Sequence, residues 1–271
     1  GTGYYKDCYY YLGDKEYRSK FIQEALINLL LDKEDEFEMK ILLTEKAKRD
    51  NFDMNDKRPN NLKEVLDKLN IKPELILVPE GKTDEELWGI FEQTINSIDD
   101  NSEIILDITH SLRNIPIQVL VALNYLKLFK NINLDSIYYG AFELGEDIDD
   151  ILIEGEKIRK APICNLNIYY ELLNWTNAIN SFMHTGNSSQ ILNLYNDIYK
   201  DKNAIIFKQG TNDEKSNLAT LKKVVEGLNN FTQCINTCRG IDGNHISKNI
   251  NLKSISSAAN TLYKNLNACF K

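Results

Sequence analysis

The stretch Glu103–Lys127, EIILDITHSLRNIPIQVLVALNYLK, decides how the first half of the chain folds. Its Ile104-Ile105-Leu106 run is too short for a helix and rich in β-branched residues, so it reads as a buried strand ending at Asp107. Asp107, Thr109, His110, Ser111, Arg113 and Asn114 then crowd into eight positions. An apolar helix follows, from about Ile115 to Phe129. Pro116 fits only a first helical turn, which places the start near Asn114, a favoured N-cap residue. Strand, polar loop and helix N-terminus make the arrangement by which open α/β sheets hold ligands. The free amides and the helix dipole favour an anion, and Arg113 adds a fork suited to phosphate. The same residues also suit a plain structural role, with Thr109 and Asn114 capping the helix and Arg113 solvated.

Working outward, strand and helix patterns alternate. Tyr4 to Tyr17 reads as extended, with a Gly13-Asp14 turn. Residues 19–31 have helical periodicity, with Phe21, Ala25, Leu26 and Leu29 on one face. Glu38–Leu43 reads as a strand, Thr44 as the cap of a short helix, and Asn61–Leu69 as an amphipathic helix. Leu75–Val78 is a second short strand, followed by the loop Pro79-Glu80-Gly81-Lys82-Thr83; Thr83 and Glu86 form a capping box for a helix to Ile98. Leu134–Phe142 is a further strand. Short connections between alternating strands and helices imply a Rossmann-like parallel sheet with helices on both faces. In such a sheet the loops at the carboxyl ends of the strands gather on one edge. Gly1-Thr2-Gly3-Tyr4, the Gly81-Lys82 loop and the Asp107–Asn114 loop then converge there.

Residues 143–162 are acidic and read as a charged surface hairpin rather than a metal site, with a domain boundary at Ala161-Pro162. Beyond it the periodicity is helical: residues 166–183, 188–200, 217–238 and 253–270, with 201–216 as an exposed loop. The expected organisation is an α/β sensing domain over 1–162 and an all-α domain over 163–271.

The chain has 271 residues and a formal net charge of −8, which argues against broad binding to long nucleic acid but not against a small anion in a local pocket. No apolar run approaches the roughly 20 residues of a membrane span. The five cysteines are odd in number and scattered, as expected of free thiols in a cytoplasmic protein. There is no P-loop, HExxH or GxGxxG pattern, so neither a metal nor a nicotinamide cofactor is expected.

The residues Asp107-Ile108-Thr109-His110-Ser111-Leu112-Arg113-Asn114-Ile115-Pro116 resemble the DxTHG-x-R-x-x-P signature of CRISPR-associated Rossmann-fold (CARF) proteins, with Ser111 where that family carries Gly. Segments such as Phe21–Leu26, Leu43–Ala47, Glu85–Trp88 and Ile137–Phe142 agree in order, and the resemblance spans most of residues 1–190. In that family the loop corresponding to Gly1–Tyr4 directly follows the first strand of the sheet; no apolar strand precedes Gly1 here. The resemblance implies a homodimer whose shared cleft binds cyclic oligoadenylate. Gly1, Thr2, Gly3, Tyr4, Gly81, Lys82, Asp107, Thr109, His110, Ser111, Arg113 and Asn114 are the candidate contacts. Arg113 and Lys82 would face phosphates, and Thr109, His110 and Asn114 ribose or base.

The resemblance further implies a HEPN ribonuclease in the helical half, using an Arg and a His without metal. Arg239 and His245 have the fitting separation: His would move a proton at the 2′-hydroxyl or leaving oxygen, and Arg would stabilise the phosphorane. By their residues alone the same positions also fit a helix end, with Gly240 or Gly243 terminating it. In longer relatives the Arg–His motif lies nearer the carboxyl end, so the effector motif can also fall beyond this chain. A binding-only regulator, and a ring nuclease that cleaves the messenger itself, are the alternative readings.

Overall fold

Tyr9, Tyr10 and Tyr11 before the Gly13-Asp14 turn and Tyr17 after it lie in a hairpin: β1 (Cys8–Leu12) and β2 (Lys15–Ser19) pair antiparallel. The structure is a computed structural model that describes residues 5–32, 34–53, 61–110, 114–153, 156–197, 208 and 210–236. The apolar stripe after the hairpin folds as α1 (Ile22–Leu30), which buries Ile22, Ala25, Leu26 and Leu29. That stripe packs with Cys8, Tyr10, Tyr138, Ala161 and Ile163 into the principal core of the first half. Next come β3 (Lys40–Leu43) and α2 (Glu45–Ala47), where the Thr44 hydroxyl accepts from the Ala47 amide, and a π turn over Lys48–Phe52. α3 (Leu62–Lys68) is capped by Asn61. β4 (Glu74–Leu77), α4 (Asp84–Ser97), β5 (Glu103–Asp107), α5 (Asn114–Leu126) and β6 (Asn133–Gly140) complete the alternation. The acidic stretch then forms a hairpin of β7 (Glu146–Ile153) and β8 (Glu156–Asn165).

The architecture is mixed α/β, and the sheet departs from an all-parallel one. Six strands run in the order β2-β1-β8-β6-β5, with β7 also on β8. β1–β8 and β5–β6 are parallel, whereas β1–β2, β6–β8 and β7–β8 are antiparallel. β3 and β4 pair parallel in a two-stranded sheet of their own, with Leu43, Ala47, Phe52 and Leu66 as its core. The acidic hairpin causes the difference. Its second strand inserts between β1 and β6, so a segment that reads as surface by charge supplies a central strand. Ala161-Pro162, where the composition shift suggests a boundary, lies within β8, and the compact first unit extends to Asn167. β5, read as buried, is an edge strand among the described residues, with Ile105 45% exposed.

One glycine fixes how α1 sits. A Cβ on Gly140 would lie 2.7 Å from Ile22 Cδ1, so the bare backbone of β6 lets the helix approach.

The second unit covers Ile168–Lys271. It contains most of α6 (Asn167–Thr185), α7 (189–197) and α8 (Asn212–Asn236). Ala178, Ile191, Tyr195 and Val225 form its core, with Trp175, Phe182, Leu221 and Leu228 around them. The buried Thr232 hydroxyl donates to the Gly186 carbonyl at 2.7 Å and accepts from the Ser188 amide at 3.0 Å. α8 starts earlier than its periodicity suggests. Thr211 and Glu214 form a reciprocal capping box, with Glu214 N–H to Thr211 Oγ1 at 3.3 Å and Thr211 N–H to Glu214 Oε2 at 2.7 Å. The expected helix over 253–270 lies outside the described residues.

Candidate functional site

Asp107 is the last residue of β5, and its carboxylate is fully engaged within the protein. Oδ1 accepts from the Thr109 amide at 2.9 Å and the Thr109 hydroxyl at 2.6 Å. Oδ2 accepts from Gln23 Nε2 of α1 at 2.7 Å. Thr109 Oγ1 in turn accepts from the Gly140 amide of β6 at 2.8 Å. Four segments are therefore tied at one point: the end of β5, the loop beyond it, the start of α1 and the end of β6. Burial pushes the Asp107 carboxyl above the ordinary carboxylate range, and the donors from Thr109 and Gln23 work against that rise. Asp107 and Thr109 thus set the shape of the loop.

His110 follows on this scaffold. Its ring stacks on Tyr5, with centroids 4.2 Å apart and planes tilted by 33°, and Tyr5 meets Phe21 edge-on at 5.6 Å. Desolvation lowers the imidazole to about 4, so the ring is neutral near neutral pH. A neutral, stacked imidazole offers a flat surface and hydrogen-bonding nitrogens, the chemistry of base or ribose recognition.

Asn114 is the first residue of α5, and Pro116 sits in its first turn, as the sequence requires. Asn114 Nδ2 donates to the Glu80 carbonyl at 3.4 Å, joining the loop after β5 to the loop after β4. Gly81 makes this approach possible. Its φ is +75°, and a Cβ there would fall 2.4 Å from Asn114 Nδ2. Beside it Lys82 is ion-paired with Glu80 at 2.5 Å. That pairing raises the lysine and lowers the carboxylate; both lie at the surface. The Thr83 hydroxyl caps α4 by accepting from the Glu86 amide at 3.2 Å. The Glu86 carboxylate turns to the Lys82 amide at 2.7 Å rather than back to Thr83, so the box is completed one residue early.

Two of the three loops expected to converge therefore do so, through Gly81, Glu80 and Asn114. Gly1, Thr2, Gly3 and Tyr4 lie outside the described residues, but Tyr5, next in the chain, reaches His110. Ser111 and Arg113 also lie outside them, as do Arg239 and His245. Gln23, Tyr5 and Gly140 escaped the sequence reading. Gln23 is an unremarkable polar residue of a helix, and its partner Asp107 is 84 positions away. Among the described residues no group of three His, Cys, Asp or Glu side chains is placed to hold a metal, and no helix is long and apolar enough to cross a membrane.

Comparison with known proteins agrees with this geometry. A stretch of 159 residues is 30% identical to the CRISPR-associated protein MJ1674 of Methanocaldococcus jannaschii, covering 55% of this chain and 24% of that protein. The chain thus spans about a quarter of the length of the curated relative it matches. Residues 1–143, which carry both loops and the scaffold beneath them, match the family described as CRISPR system endoribonuclease Csx1, CARF domain. By that match over more than half of its length, the chain belongs to the Csx1 CARF-domain family.

Proposed function

We propose that this protein is an accessory protein of a type III CRISPR system that binds a cyclic oligoadenylate at a cleft shared by two CARF domains and thereby activates RNA cleavage by its helical half. The observation that carries the reading is the junction of the two loops at Asn114, over the Asp107–Thr109–Gln23–Gly140 network. It brings a helix N-terminus, a neutral stacked His110 and Lys82 to the junction of the two loops. The helix N-terminus and the cations suit phosphates, and His110 and Asn114 suit ribose or adenine. Lys82 can leave Glu80 for a phosphate at little cost, because an exposed ion pair is weakly held. An isologous dimer presents each loop twice, which matches a ring with two-fold symmetry. Binding that favours one arrangement of the two copies would then shift the helical halves toward the active state. Arg239 and His245 are assigned to metal-independent cleavage of RNA.

Calorimetric titration with cyclic tetraadenylate and cyclic hexaadenylate tests the binding step. Saturable heat with one ring size is expected, and no heat with any ring would sink the proposal. Labelled RNA and labelled cyclic oligoadenylate, incubated with wild type, His245→Ala and His110→Ala, test the chemistry. RNA cleavage lost in His245→Ala is the expected result. Messenger cleavage lost in His110→Ala would instead make the protein a ring nuclease, and neither activity would leave a binding-only regulator.

A further inference from the structure

We propose that the carboxamide oxygen of Gln23 sets which nucleotide ring the site accepts, by taking a hydrogen bond from a donor on the bound messenger. The proposal rests on the messenger-binding reading above and assigns its selectivity to one atom. Gln23 stands in the first turn of α1 and is tied to the root of the loop after β5. Its Nε2 donates to Asp107 Oδ2 at 2.7 Å. Its Oε1 is buried and has no hydrogen-bond partner among the described residues. Turning the amide round does not relieve this, because a carboxylate only accepts and the NH2 end has to face Asp107. The surrounding donors are spent. The Thr109 amide and hydroxyl both go to Asp107 Oδ1, and the Gly140 amide goes to Thr109 Oγ1. Asn114 Nδ2 goes to the Glu80 carbonyl. A buried acceptor left unpaired carries its whole desolvation cost, so a group that supplies the missing donor is bound the more tightly for it.

The chemistry of the ring decides what can pair this oxygen. Phosphate oxygens and the ring nitrogens of adenine only accept. A ring of adenylates therefore carries two kinds of donor, the exocyclic amino group and the free ribose hydroxyl. Gln23 Oε1 reads one of the two. Both belong to the nucleoside, whereas the helix N-terminus and the cations suit the phosphates. Oε1 is shut from water in the ligand-free protein, so binding has to displace its cover. A base that stacks on the Tyr5–His110 pair, which meets Phe21 two residues before Gln23, brings its edge or its ribose to that atom. The bond from Nε2 to Asp107 fixes the amide in one orientation. A fixed, buried acceptor rejects an analogue that lacks the donor more strongly than an apolar pocket rejects a change of size.

Calorimetry on the full chain with three rings of one size tests this. The rings are cyclic oligoadenylate, the same ring with hypoxanthine in place of adenine, and the same ring without its free ribose hydroxyls. Wild type should bind the adenylate ring about 10–100-fold more tightly than one of the two analogues, and the analogue that loses affinity says whether the amino group or the hydroxyl is read. Gln23→Met, of similar length without the amide, should bind all three rings within about three-fold of one another. Gln23→Leu repeats the test in a second variant, and unfolding midpoints check that both are folded. Asn28→Met, at an exposed amide of the same helix, should keep the wild-type ranking. A merely structural Gln23 would weaken all three rings equally in its variants and leave their ranking intact. That result, which a water held at Oε1 would also give, overturns the proposal. So does a wild type that binds all three rings alike, which needs no variant to read. Either outcome leaves the messenger reading standing, whereas a wild type that binds no ring removes both.

Discussion

The loop after β5 and the loop after β4 meet at Asn114, yet they are held by different physics. The first is fixed from beneath: Asp107 takes three hydrogen bonds, one of them from a helix 84 residues away, and His110 is desolvated against Tyr5. The second lies at the surface and is shaped by one left-handed glycine and an exposed ion pair. The contrast teaches that residues grouped by one sequence signature need not share one task. Asp107 and Thr109 hold the platform together, whereas Asn114 and Gly81 join the two loops and His110 packs on Tyr5.

The sharpest way to break this contrast is Asp107→Ala. It strands the Thr109 amide, the Thr109 hydroxyl and Gln23 Nε2 at once, and should cost about 3–4 kcal/mol in denaturant unfolding. A loss below about 1 kcal/mol would show that the network does not hold the loop. Next comes pH. Unfolded His110 takes up a proton near 6.5 and folded His110 only near 4, so the unfolded state binds more protons between those values. Its contribution is complete above the unfolded pKa and is lost as pH falls towards 4, by roughly 3 kcal/mol at most. Asp107 acts in the opposite sense, its raised carboxyl favouring the folded state at lower pH. Comparing wild type with His110→Phe, which keeps a ring on Tyr5, isolates the histidine; the variant should show the flatter fall.

On the other loop, Gly81→Ala combines a left-handed backbone with a clash at Asn114 Nδ2 and should cost about 1–3 kcal/mol, read from the shift in unfolding midpoint. Lys82→Ala completes the series. Its unfolding midpoint should match wild type, while affinity for cyclic oligoadenylate falls about ten-fold in calorimetry. A stability loss as large as that of Asp107→Ala would erase the distinction between the loops.

Much of the first half was legible because its signals are local. The tyrosine hairpin, the apolar stripe of α1, the Thr44 and Thr83 caps and the Pro116 first turn each depend on neighbours a few residues away. What escaped depends on distant partners. β8 reads as part of a charged surface hairpin, but its later residues pair with β1 and β6 and complete the sheet. Ile105 looks buried, but among the described residues β5 pairs on one side only, with β6. The Thr211–Glu214 box is a different miss: its signal was local and was passed over among the polar residues of 201–216.

For this protein the sequence by itself determined the element types, the loop at Asp107–Asn114 as the candidate site and the kinship that residues 1–143 bear out. Those rest on periodicity, capping chemistry and side-chain type, which are properties of neighbouring residues. Only the tertiary structure decided that Asp107 spends its charge on Thr109 and Gln23, that Gly81 lets two loops touch, and that both sides of α5 are apolar while one remains open to solvent. Burial and hydrogen-bond satisfaction depend on what the rest of the chain brings alongside, and no window of neighbouring residues contains that information.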